Sequence, residues 1–236
     1  MNWDRFSLNH FRHLRTLPMD HLSSSLDYCI RGEGNTLYVA FQETSSYDND
    51  ISDDLNYFPE AIDVYTGVKG HGGVFKQYKS IREKLLNHLY SGNYKQIYVS
   101  GYSLGGALTV ATIQDMGWHI DRDKLNVKIF GIAYNPPRTF CLSRIVKQAT
   151  KDRLLIVCTR WDPIVHVPCN VMIMSWTLQL KPLRIVFGKP TQWISFWKHY
   201  GKVVRIGKWW RVWPIQHFPG PIEKALKEYE MKMGGN

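Results

Sequence analysis

Apolar residues along this 236-residue chain fall into two patterns that take turns: short unbroken runs and stripes at helical spacing. "TLYVAFQ" is a run that reads as a buried strand. The next stretch, "ETSSYDNDISDDLNYFPEA", is acidic and rich in turn formers. Within it Tyr47, Ile51, Leu55 and Phe58 fall about four apart, which predicts a short amphipathic helix. After "KGHGG", Phe75, Tyr78, Ile81, Leu85 and Leu89 keep a helical period, and the glycine of "SGNY" ends that helix. "KQIYVSG" is a short β-rich run followed by a helix over residues 104 to about 116. "VKIFGIAYNPP" reads as a strand stopped by prolines, "FCLSRIVKQA" as a helix and "RLLIVCTRWD" as another strand. Strands alternating with helices imply an α/β fold with a mostly parallel central sheet covered on both faces. Ligand chemistry in such sheets sits beyond the carboxyl ends of the strands. Length and the absence of repeats point to one domain spanning residues 1–236.

Charge changes this picture in the last third. The net charge of +10 is uneven: residues 163–236 carry 11 Lys or Arg against 3 acids. Between Asp162 and Glu223 there is no acid, but there are eight Lys or Arg and six of the nine tryptophans. This basic aromatic insertion, residues 171–213, suits an anionic surface, because tryptophan favours the lipid interface and neighbouring cations add attraction. The alternation in "KVVRIGKWW" equally suits packing in a core. No stretch has the apolar core of a secretion signal or the length to span a bilayer, so a soluble cytoplasmic protein, free or membrane-associated, is the expectation. Cys29, Cys141, Cys158 and Cys169 have neither metal-ligand spacing nor disulfide density, and no metal or organic cofactor is expected.

The candidate chemistry lies in "VSGYSLGGAL", residues 99–108, where a G-x-S-x-G pattern follows a strand and opens a helix. In that setting the serine occupies a strained turn and its hydroxyl projects from the sheet. Gly101 and Gly105 lack the Cβ atoms that would strike the neighbouring strand and helix, and Gly106 adds clearance. A serine hydroxyl needs a histidine to take its proton and a carboxylate to orient that histidine. The order Ser, acid, His places both partners after Ser103. The acids available are Asp115, Asp121, Asp123, Asp152 and Asp162, of which Asp162 alone directly follows a predicted strand. Its other reading is a surface turn residue paired with Arg160. His166, His199 and His217 are the candidate bases, and His217, on a connection before the terminal helix, is favoured over His199. The Leu104 N–H would supply one oxyanion donor and the loop in "FQETSS", with Thr44, the other.

These segments resemble the class 3 lipases, the fungal triacylglycerol lipase type of α/β-hydrolase, over residues 36–225. "LYVAFQET" is similar to the family's strand ending in F-R-G-T or F-R-G-S, and "HGGVF" to its H-x-G-F element before a long helix. "VSGYSLGGALTVA" is close to the nucleophile segment G-H-S-L-G-G-A-L-A. "AYNPPRTF", "DPIVHVP" and "HFPGPIEKAL" match, in order, the G-x-P-R-V-G strand end, the acid loop and the histidine before the final helix. The resemblance implies Ser103 as nucleophile, Asp162 as orienting acid and His217 as base, with Thr44 and Leu104 in the oxyanion hole. It also implies that residues 45–59 form a lid. Gln42 and Glu43 stand where the family has Arg-Gly, and Tyr102 where it commonly has histidine.

The leading expectation is therefore a serine-dependent hydrolase of lipid carboxylic esters, acylglycerol or phospholipid, acting through an acyl-enzyme at a lipid surface. A second is a non-catalytic membrane-binding or scaffold protein on a hydrolase fold, with the altered "QET" loop as its sign. Nucleic-acid binding is disfavoured, since no such motif is present and "KWWRVW" is too apolar for a solvated groove. The sequence leaves the oligomeric state open.

Overall fold

The computed structural model describes residues 7–18, 20–21, 27–42, 59–61, 67–141, 143–160, 162, 164–166, 171–173, 194–207 and 219–233. In chain order the elements are α1 (Leu8–Thr16), β1 (Asp20–His21), β2 (Asp27–Glu33), β3 (Thr36–Phe41), β4 (Pro59–Ala61), β5 (Lys69–His71) and α2 (Gly72–Tyr90). Then come β6 (Gln96–Tyr102), α3 (Leu104–Asp123), β7 (Lys128–Tyr134), β8 (Phe140–Cys141), α4 (Arg144–Thr150) and β9 (Leu154–Thr159). A 3₁₀ turn (Ile164–His166), β10 (Val171–Ile173), β11 (Ile194–Lys198), β12 (Lys202–Ile206) and α5 (Pro219–Met233) complete the described chain.

The main sheet has seven strands in the order β1-β2-β3-β6-β7-β9-β12. Strands β3, β6, β7, β9 and β12 run parallel, and β1 and β2 extend one edge antiparallel. The parallel strands read as unbroken apolar runs because both faces are covered. On β7, Ile129 and Ala133 join the core under α2 and α3, while Ile132 and Tyr134 join the core under α1 and α5. On β9, Leu154, Ile156 and Cys158 face the first core, and Leu155 and Val157 the second. The strand period of two thus feeds two hydrophobic layers at once.

Helix α3 is buried without a break from Leu104 to Gly117, since the sheet, α2 and α4 all pack against it. A helix covered on all sides is apolar all round, and the hydroxyls of Thr109 and Thr112 are satisfied by donating to Gly105 O and Leu108 O one turn back. The expected end near residue 116 is exceeded by two turns. Gln114, Asp115 and His119 interrupt the apolar stripe, but Asp115 and His119 are received by polar groups of α2, so the helix continues to the left-handed cap at Lys124.

Sequence periodicity passed over three features. Helix α1 is short, capped by the Ser7 hydroxyl on His10 N–H, and it closes the second core with Leu8, Phe11 and Leu14. A second sheet, β10-β11-β8-β5-β4, is built of strands of two to five residues, too short to show alternation. It turns "FC" of "FCLSRIVKQA" into strand, leaving only Arg144–Thr150 helical. Third, Lys202–Ile206, inside the basic aromatic segment, is the outer parallel strand of the main sheet, and Trp197 of the same segment is 2% exposed. The segment's other five tryptophans lie outside the described residues. Among the described residues no helix is long and apolar enough to cross a membrane.

Candidate active site

Strand β6 ends at Tyr102 and α3 begins at Leu104, so a single residue makes the turn between them. That residue is Ser103, at φ 56° and ψ −120°, a backbone conformation that costs a non-glycine residue about 1–3 kcal/mol. Such strain persists only where the surroundings over-determine it. Here the Ser103 N–H donates to Tyr134 O at 2.9 Å, and the Ala107 N–H to Ser103 O at 3.1 Å. Tyr134 is itself fixed, with its hydroxyl 2.8 Å from His10 Nδ1 and its ring 4.9 Å edge-on to Phe11. The turn also needs its glycines. A Cβ on Gly101 would lie 2.1 Å from Gly105 O, and one on Gly105 would lie 2.5 Å from Phe41 O and 2.9 Å from Gln42 O. Gly105 thereby seats the start of α3 directly on the end of β3. Gly106 provides a packing contact, since a Cβ there would lie 2.9 Å from Tyr134 O. The Ser103 side chain makes no capping bond to the helix.

Asp162 lies beyond the end of β9 and is fully buried, which rules out a surface turn pair with Arg160. Its Oδ2 accepts from Asn135 Nδ2 at 2.6 Å and its Oδ1 from the Ile164 N–H at 2.8 Å. Asn135 is the organiser that sequence reading missed. It follows β7 at φ 42°, donates a second bond to Thr159 Oγ1 at 2.9 Å, and accepts from the Thr159 N–H at 2.8 Å. Asparagine tolerates the left-handed region better than most residues. The available signal was its place between the strand "KIFGIAY" and the Pro-Pro that stops it. Through Tyr134 and Asn135, neighbours in sequence, the ends of three adjacent parallel strands join Ser103 to Asp162.

The 3₁₀ turn after Asp162 is gripped from two sides. Arg138 Nη1 donates to His166 O at 2.7 Å, and His199 Nε2 donates to Val165 O at 2.7 Å. Burial, together with Arg138, His166 and Arg205, pushes the His199 imidazole down to about 4, against the opposing pull of the Val165 carbonyl. Burial and the same two arginines lower His166. Among the described residues no hydrogen bond joins His166 or His199 to Ser103 or Asp162. His217, Thr44 and the lid-like segment lie outside the described residues, apart from Pro59 at the start of β4. Leu104 is the first residue of α3, where backbone N–H groups have no intrahelical partner. Cys29, Cys141 and Cys158 are free thiols, the last pushed up to about 12 by burial and Asp162. No group of three His, Cys, Asp or Glu side chains among the described residues converges as a metal site.

The fold is shared with solved lipases. The Rhizomucor miehei lipase in its propeptide complex superposes with a TM-score of 0.53 at 20% identity, covering 80% of this chain and 56% of that one. A mutant form of MDLA from Penicillium cyclopium gives 0.54 at 15% identity, covering 80% of this chain and 63% of that one. Lipase II from Rhizopus niveus gives 0.50 at 16%, with 65% and 60% covered. The chain thus spans under two thirds of the length of each of these structures. No curated protein sequence matches it significantly. A model of the family "Lipase (class 3)" matches residues 38–172, more than half of the chain and the part that holds most of β3, the Ser103 turn, Asn135 and Asp162. The chain therefore belongs to the class 3 lipase family.

Proposed function

We propose that the protein hydrolyses carboxylic esters of lipids, acylglycerol or phospholipid, at a lipid surface, with Ser103 as nucleophile, Asp162 as orienting acid and His217 as base. The observation that carries this reading is the strained Ser103 turn, tied through Tyr134 and Asn135 to a buried carboxylate. Family membership and the lipase fold support it.

In the proposed reaction Ser103 Oγ attacks the ester carbonyl carbon as His217 takes its proton. The oxyanion formed is held by the Leu104 N–H and by Thr44, and Asp162 steadies the imidazolium. Collapse breaks the bond to the alcohol, which leaves with the proton from His217. Water, deprotonated by the same histidine, then attacks the acyl-serine and releases the fatty acid. The placement of Gly105 against Phe41 O and Gln42 O brings the chain leading to Thr44 beside the start of α3, where a second oxyanion donor belongs. The basic aromatic segment 171–213 is the proposed contact with an anionic membrane surface.

A fluorophosphonate probe and a hydrolysis assay on short-chain nitrophenyl esters, emulsified triglyceride and anionic phospholipid vesicles test this reading. Wild type is expected to be labelled at Ser103, and Ser103→Ala to lose labelling and at least about 10⁴-fold in kcat. Hydrolysis that survives Ser103→Ala refutes the mechanism. A folded wild type that the probe does not label favours a non-catalytic scaffold.

A further inference from the structure

Beyond the end of β9, residues of β9, β12, the 3₁₀ turn and the loops after β7 and β11 line a hollow of about 270 Å³. Arg138, Arg160, Arg205, His166 and His199 line it, over Cys158, and no carboxylate is among its described lining residues. The arginines and imidazoles reach it from five places in the chain: the loop after β7, the end of β9, the 3₁₀ turn, the β11–β12 connection and β12 itself. Strand register puts two of them on one face, since Arg205 is the direct partner of Cys158 and Arg160 lies two residues beyond it. Arg138 is 8% exposed and fixed by its bond to His166 O, and His199 is fixed by its bond to Val165 O. Among the described residues no carboxylate forms an ion pair with Arg160 or Arg205. Like charges gathered in one concave site repel one another: Arg138 and Arg205 both depress the two imidazoles they face, and the Asp162 carboxylate pulls His166 the other way. Such an arrangement is stabilised by an anion with several acceptor oxygens.

We propose that this hollow is a phosphate-binding pocket whose ligand is a terminal phosphate group, with Arg160 and Arg205 as the accessible guanidinium contacts and Arg138 as a fixed wall. Guanidinium groups bind phosphate oxygens in pairs with short charge-assisted hydrogen bonds, which a carboxylate, with two oxygens, satisfies less completely. The volume lies just below that of sites for drug-sized ligands, about 300–1,000 Å³, and suits a headgroup. The phosphate belongs either to a lipid such as phosphatidic acid or to the free ion. In its lipid form the inference rests on the reading of the protein as an enzyme at lipid surfaces, and names the headgroup that such a surface presents beside the acid.

The test measures binding in the Ser103→Ala protein, so that it is independent of hydrolysis. Co-sedimentation is compared for phosphatidylcholine vesicles containing phosphatidic acid and for vesicles brought to equal surface charge with oleate. Phosphatidic acid is expected to bind about tenfold more tightly, and R160Q and R205Q each to remove about tenfold of that affinity. K79Q, the same charge change on the exposed face of α2, is the control and is expected to remove none. Inorganic phosphate, followed by the imidazole NMR resonances of His166 and His199, is expected to move both toward the protonated form, and chloride at equal ionic strength is not. Competition of inorganic phosphate with the vesicles assigns the pocket to the free ion as well. Arginine-dependent vesicle binding without competition assigns it to the lipid headgroup. Equal retention of R160Q, R205Q and K79Q on phosphatidic acid vesicles, with unmoved imidazole resonances, overturns the proposal. A protein that binds as expected but resists the fluorophosphonate probe keeps the pocket and loses the hydrolase reading.

Discussion

Asp115 and Asp162 are both sealed from water, at 1% and 0% exposure, yet the chain accommodates them in different ways. Asp115, in the middle of α3, faces α2 and receives a paired contact from Arg82, Nε at 2.7 Å and Nη2 at 3.1 Å, plus the Tyr78 hydroxyl at 2.9 Å. His119, Tyr90, Arg122 and Asp123 extend this network to the surface. Charge meets charge there, and the result locks two helices together. Asp162 instead takes a side-chain amide from Asn135 and a backbone N–H from Ile164. These two donors are neutral, and a neutral donor steadies a carboxylate without cancelling its charge, which suits the orienting acid of a triad. The same residue type thus serves as a rivet in one place and is suited to work as a reagent in the other.

Four substitutions or titrations separate these roles. Asp162→Asn should lower kcat by about 10⁴ on a nitrophenyl ester while a fluorescence melt shows a folded protein, because an amide no longer fixes the imidazole tautomer. Asp115→Asn should do the reverse: kcat holds, and urea unfolding loses about 3 kcal/mol, since the half-buried Arg82 loses the counter-charge that Asp115 supplies. If Asp115→Asn also abolished turnover, the division between the two carboxylates would be wrong. Asn135→Ala should cost about 2 kcal/mol in the same urea experiment, as Thr159 N–H and Asp162 lose a buried partner, with kcat falling as the acid loosens. A destabilisation without any change in kcat would make Asn135 purely structural.

The smallest effect is a pH dependence. His199, with its pKa down at about 4, and His119, lowered by burial, both refuse protons that the unfolded chain accepts near 6.5. The unfolded state then binds more protons, so stability rises with pH through this window and is lost as pH falls from about 6.5 toward 4. Urea midpoints from pH 8 to pH 4 should show this slope. His199→Gln should flatten it more than His119→Gln, and an unchanged slope in both would assign the acid loss elsewhere.

The order of the parallel strands and helices was legible because covered strands and core-facing helices carry periods that one-dimensional reading detects. "KQIYVSGYSLGG" is a strand, a one-residue turn and a helix start, and its glycines lie where Cβ atoms would strike backbone. What escaped were elements whose reasons are non-local. The three-residue strands of the second sheet have no period to read. The last two turns of α3 carry polar side chains received by Tyr90 of α2 and by Arg153, both distant in sequence. Asn135 lies 27 residues from the aspartate it holds, and no spacing rule links them.

Composition and periodicity determined by themselves that this chain would build an α/β sheet with both faces buried, and that a serine would stand at one strand end with an aspartate at another. Side-chain period and steric room are local properties, so the sequence states them directly. Tertiary structure decided which buried aspartate meets an arginine and which receives the Asn135 amide, and it gathered Arg138, Arg160 and Arg205 around one hollow. Those outcomes depend on which strands lie side by side and on how deeply each charge is withdrawn from water. They arise when the sheet closes, from residues far apart in the chain.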